Sequence, residues 1–104
     1  MPGPRFRFDA ELWRWDGPAA WMFVSLPEPI ADEIADHVEG QPRAGFGSVK
    51  VEVRVGGSRW TTSVFPDSTR GTYLLPVKKS VRLAEDLDDG DTFTVTLEVL
   101  EPRA

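Results

Sequence analysis

The sequence predicts a mostly β fold, a small closed six-stranded β-barrel with two short helices and a pseudo-twofold internal repeat. Three observations predict it. Several stretches alternate polar and apolar residues with period two, two others carry apolar residues at helical spacing, and Gly- or Pro-containing turns separate them. Six strands with one apolar face each can satisfy their edges by closing into a barrel. An open sheet packed by both helices is the alternative architecture.

The elements follow in order. Arg5-Phe-Arg-Phe alternates charge and aromatic, and the strand continues to Leu12, Trp13 and Trp15. Asp16-Gly17-Pro18 reads as a turn, and Trp21 to Leu26 as a short strand buried on both faces. At Pro27 the period changes. Ile30, Ile34 and Val38 share one helix face with Ala31 and Ala35, and the acids lie opposite. Pro29 suits the first turn and Glu28, Asp32 and Glu33 suit the dipole. Gly40 to Gly47 is a loop.

Ser48 to Val55 alternates throughout, so Val49, Val51, Val53 and Val55 face the core while Lys50, Glu52 and Arg54 face solvent. Gly56-Gly57 supplies a tight hairpin, and Arg59 to Phe65 is the return strand, ended by Pro66-Asp67. A loop to Gly71, a short strand Thr72 to Leu75 and a short helix Val77 to Ala84 follow. Asp88-Asp89-Gly90 turns the chain into Thr92 to Val99, with Phe93, Val95, Leu97 and Val99 inward.

At 104 residues the chain is one domain over 1–104, large enough to bury a core without staples. Four Trp and six Phe argue against disorder. The absence of Cys excludes disulfides, thiolate metal sites and a cysteine nucleophile. The start of the chain lacks the apolar run of a signal peptide, and its longest apolar stretch, Ala19 to Val24, is too short to span a bilayer. A cytoplasmic location is the expectation. Oligomeric state stays open.

The net charge of −5 is uneven. Residues 27–40 carry five acids and no Lys or Arg; residues 41–79 carry seven basic residues against two acids. A basic middle of this kind either forms an anion-binding patch or is a solvated surface neutralised by its neighbours.

Two segments echo each other. Val24-Ser-Leu-Pro27 and Tyr73-Leu-Leu-Pro76 each lead from a strand into a helix and then into a strand, with Pro halting the strand and pre-setting a helix start. In the second copy, Leu75-Pro76, Arg82, Leu87, Gly90-Asp91, Phe93 and Val95 stand at spacings that resemble the half-barrel unit of AbrB- and MazE-type swapped-hairpin barrels. That resemblance implies a structural turn role for Gly90 and Asp91, Gly permitting the turn and Asp accepting backbone N–H groups. It also implies DNA binding as dimers through basic surfaces.

A nearer resemblance covers roughly residues 5 to 100. Gly45-Phe-Gly-Ser-Val-Lys-Val, Trp60-Thr-Thr-Ser-Val-Phe-Pro66, Gly71-Thr-Tyr-Leu-Leu-Pro-Val-Lys-Lys79, Arg82 and Gly90-Asp91, with Trp21 to Pro27 ahead of them, resemble the bacterial DUF1905 family. The resemblance implies a small closed β-barrel of unassigned function, found alone or fused to a domain associated with bacteriocin protection. The end at Ala104 fits a stand-alone version. No catalytic residue carries over.

The residues themselves offer little chemistry. His37 is the single His, four residues after Glu33, where a surface pair is the plain reading. Nucleophile elbow, P-loop and dinucleotide fingerprint are all absent. Asp86, Asp88, Asp89 and Asp91 lack the spacing of a calcium loop and read as solvated turn acids. No catalytic residue, metal site or cofactor is therefore assigned.

A non-enzymatic binding module is the expectation, taking a small anionic ligand or a protein partner. Its candidate residues are Trp60, Ser63, Arg70, Tyr73, Lys78, Lys79 and Arg82. Lys78 and Lys79 open the second helix, where backbone N–H groups favour anions, and Arg82 shares the Lys78 face. The plain alternative pairs Arg82 with Glu85 or Asp86. DNA binding of the AbrB kind is opposed by the net charge and a pI near 4.8; an uncharacterised enzyme is the other alternative.

Overall fold

The computed structural model describes residues 2–17, 20–40 and 47–100. It is mostly β with two helices, in the order β1 (Pro2–Glu11), β2 (Trp13–Arg14), β3 (Met22–Ser25), α1 (Glu28–Val38), β4 (Val49–Val55), β5 (Ser58–Asp67), β6 (Thr72–Pro76), α2 (Lys79–Ala84) and β7 (Thr92–Leu100). Most of the expected Gly40–Gly47 loop, and Pro18 of the first turn, lie outside the described residues.

The strands form one antiparallel sheet, ordered β1-β7-β4-β5-β6-β3-β2. It is a curled half-barrel of seven strands, and the expected closed six-stranded barrel is corrected on both counts. The expected first strand, Arg5 to Trp15, is broken at Leu12. Before the break its partner is β7, with Phe8 opposite Val95 and Glu11 opposite Thr92. After it, Trp13 stands opposite Phe23 of β3 at the other end of the sheet. At Leu12 the backbone N–H donates to Asp91 O and the carbonyl accepts from Gly90 N, both at 2.8 Å. These bonds belong to the turn before β7 and not to a strand ladder. The two ends of the sheet are thus consecutive pieces of one run, joined through Leu12 and the turn.

That turn needs its residues. Gly90 sits at φ +91, a region costly for residues with a Cβ. The Asp91 carboxylate accepts the Asp88 N–H at 2.8 Å. At the β4–β5 hairpin, Gly56 has φ +56, and a Cβ there would run into the Glu85 carboxylate. Glu85 follows α2 and accepts from Ser58 Oγ at 2.7 Å and Gly57 N at 3.4 Å, tying α2 to the hairpin.

The concave face holds the core. Alternation sends Val51 and Val53, Val64, Leu75, and Val95 and Leu97 inward, all wholly buried, where they meet Leu12 and Val24. Each such side chain contributes about 1.5–3 kcal/mol relative to exposure. Helix α1 adds Ala31, Ile34 and Val38, while Ile30 is only partly buried. Buried Thr72 donates to Leu26 O at 2.7 Å, fastening β6 to the exit of β3.

Proline boundaries differ from the sequence expectation. Pro66 lies inside β5, opposite Tyr73, beyond the last β4 partner at Val64. One edge of β5 has no ladder to feed there, so a residue lacking N–H is tolerated. Pro76 likewise belongs to β6, paired with Phe23, and α2 begins only at Lys79. Among the described residues no helix is long and apolar enough to cross a membrane.

Candidate functional site

Where β6 runs into α2, the chain is pinned to the start of β3 by a hydrogen bond from Val77 N to Met22 O, 3.0 Å. This joint and the neighbouring stretch of β5 enclose an open cleft of about 360 Å³. Trp21, just ahead of β3, and Met22 at its start line it on one side, Trp60 and Thr62 from β5, and Pro76, Lys78, Lys79 and Arg82 from the β6–α2 side. Lys78 and Lys79 are exposed; Arg82 is half-buried.

Arg82 is held by its own surroundings. Nε donates to Val77 O at 3.0 Å and Nη1 to the Met22 thioether at 3.1 Å. Guanidinium carries five donors, so these bonds orient it without exhausting it. The alternative partner Glu85 is engaged with Ser58 and Gly57 instead. Among the described residues, the ion pairs are Arg5–Glu98, Arg59–Glu52 and Arg70–Asp67. Lys78, Lys79 and Arg82 take part in none of them. Helix α2 has only six residues and Lys78 is its extended cap, so side-chain charge dominates here and not a helix end.

The structure therefore brings together Trp60, Lys78, Lys79 and Arg82, and places the other three candidates elsewhere. Ser63 is opposite Lys50 in the β4–β5 ladder, just beyond the Trp60–Thr62 stretch, and does not line the cleft. Tyr73 is buried and lines a separate shallow groove with Ala31, Asp32 and Pro66. Arg70 lies 4.3 Å above the Trp13 ring and bonds Asp67 at 2.7 Å. That hydrogen bond, helped by the Thr69 N–H, holds the Asp67 carboxyl below its ordinary range.

Sequence reasoning missed Trp21. Trp13 opposite Phe23, and the Trp15 N–H bonded to Trp21 O at 2.9 Å, put Trp13, Trp15, Trp21 and Phe23 on one outward face. The signal was present as aromatic residues at alternate positions on both sides of Asp16-Gly17. Phe23 stacks on Trp21 with centroids 6.0 Å apart and planes 13° apart, and Trp13 tilts against Phe23 at 5.3 Å. The Trp13 indole N–H donates to Ser25 Oγ at 3.0 Å. Trp21 remains 51% exposed and lines the cleft.

His37 is on α1 and does not line the cleft. Among the described residues no three His, Asp or Glu side chains are grouped to hold a metal ion. No curated protein matches the chain. A family model described as a domain of unknown function, DUF1905, matches residues 8–97, most of the chain, leaving out residues 2–7 of β1 and 98–100 of β7. The chain belongs to the DUF1905 family.

Proposed function

We propose that this domain is a non-enzymatic binding module that takes a small anionic ligand in the cleft beside α2. One observation carries the reading: three cations, Lys78, Lys79 and Arg82, line one cleft with no carboxylate partner among the described residues. A cationic cleft with low-dielectric walls concentrates anions, and Arg82 is already oriented by Val77 and Met22. The absence of Cys and the position of the sole His away from the cleft support binding over catalysis. The proposal keeps the expected bacterial, cytoplasmic setting.

A second reading is a protein partner, favoured by the outward aromatic face, on which Trp15 and Trp21 stay exposed. DNA recognition of the AbrB type is disfavoured by the net charge of −5. We also read β3-α1-β4 and β6-α2-β7 as copies of one unit. The ladders of β3 with β6 and of β4 with β7 support this, since a twofold relation pairs equivalent strands.

Titration of inorganic phosphate at low salt, followed by Trp fluorescence and calorimetry, tests the anion reading. Saturable binding that the Lys78→Ala/Lys79→Ala variant loses supports it. No binding by the wild type overturns it.

A further inference from the structure

Resting on that anion reading, we infer that the ligand is a mononucleotide, its base stacked on Trp21 and its phosphate held by Lys78, Lys79 and Arg82. The juxtaposition is of a stacking platform with a cation cluster in one small cleft.

Trp21 has its indole plane set by parallel stacking on Phe23, which Trp13 braces in turn. Its ring runs nearly parallel to Phe23 with centroids 6.0 Å apart, and the side chain is still 51% exposed, so much of the indole is open to a ligand. An indole with a fixed plane and an open surface binds flat π-systems of any base type. The same side chain lines the cleft that contains the three cations.

The charges discriminate among anions. A monocarboxylate needs one cation, whereas a phosphate monoester carries nearly two negative charges at neutral pH and several acceptor oxygens. Two lysine point charges and one oriented guanidinium match the phosphate better. Thr61 and Thr62 also line the cleft and offer hydroxyls for a sugar or a base edge. At about 360 Å³ the cleft lies at the small end of ligand sites, fitting one nucleotide unit. A long polynucleotide would also meet the repulsion of a chain with net charge −5.

The test compares AMP, inorganic phosphate, adenosine and a twelve-residue oligothymidylate at one low salt concentration, by calorimetry and Trp fluorescence. AMP is expected to bind roughly tenfold or more tightly than phosphate and to quench Trp emission. Trp21→Ala should remove that advantage, so that AMP and phosphate bind with similar affinity. Lys78→Ala/Lys79→Ala should weaken both AMP and phosphate. Since Lys78 and Lys79 are exposed, thermal melts of that variant should match the wild type. Phosphate binding with no gain for AMP overturns the nucleotide and leaves the anion site standing. An AMP advantage that survives in Trp21→Ala overturns the stacking. Tighter binding of the oligonucleotide than of AMP overturns the mononucleotide in favour of single-stranded nucleic acid. Failure of both AMP and phosphate to bind removes the anion site and this inference with it.

Discussion

The two halves of the sheet present outer faces of opposite kinds. On β1, β7 and β4 the face is charged and its charges answer one another. Glu98 stands opposite both Arg5 and Glu52 in its two ladders. Arg5 reaches it with Nη2 at 2.8 Å and Nε at 3.2 Å, and Arg59 lies 4.0 Å from Glu52. Asp9 accepts from Thr94 Oγ1 at 2.6 Å. Like charges opposite each other repel, and the flanking arginines offset that. Around β2 and β3 the outer face is aromatic, and the cations beside it at the start of α2 have no carboxylate partner among the described residues. In one half, charge is used to hold the sheet together. In the other, Lys78, Lys79 and Arg82 take part in none of the ion pairs among the described residues.

The junction of the halves is the place to break the comparison. Leu12 is wholly buried, and its backbone bonds the Gly90–Asp91 turn. Leu12→Ala should cost about 2–5 kcal/mol in urea unfolding. Trp fluorescence, reporting the aromatic half, and far-UV dichroism, reporting the whole sheet, should lose signal in one shared transition. Separate transitions would show that the halves are independent units.

Next in size is Trp13→Ala, which removes the contact with Phe23, the bond to Ser25 and the ring under Arg70. Because Trp13 is half-buried, a loss of about 1–3 kcal/mol is expected, less than a full core truncation. The charged half should lose less per contact. A double-mutant cycle on Arg5→Ala and Glu98→Ala should give a coupling of about 0.2–1 kcal/mol that shrinks with added salt. A coupling above that of the aromatic contacts would invert the comparison.

Much of this was legible in the sequence, and the gaps have physical causes. The unbroken alternation of β4 and β7 predicts the buried rows because inward positions recur at period two. The break at Leu12 was hidden for the same reason. Phe8, Ala10 and Leu12 all point inward, so the pattern runs on while the strand's partner changes. Prolines misled at Pro66 and Pro76, where a missing N–H is harmless. At the site, Lys78 and Arg82 were legible as a pair four apart. Arg70 and Tyr73 were not separable from them, since their partners Trp13 and α1 lie far away in sequence.

The smallest expected effect concerns pH. The folded Asp67 carboxyl is held below its unfolded value, chiefly by the Arg70 hydrogen bond. Its stabilisation is therefore complete above the ordinary carboxylate range and is lost as pH falls through that range to the lowered folded value. The difference in melting temperature between wild type and Arg70→Gln should be constant near neutrality and shrink on acidification. A difference that grows in acid would reverse the sign.

On the proposed reading, Lys78 and Lys79 beside α2 serve a ligand and not the fold. Phosphate affinity and urea stability, measured together for wild type and Lys78→Ala/Lys79→Ala, test it most directly. At least a tenfold loss of phosphate affinity is expected, with stability unchanged within about 0.5 kcal/mol. Equal phosphate affinity, or a large loss of stability, would contradict it.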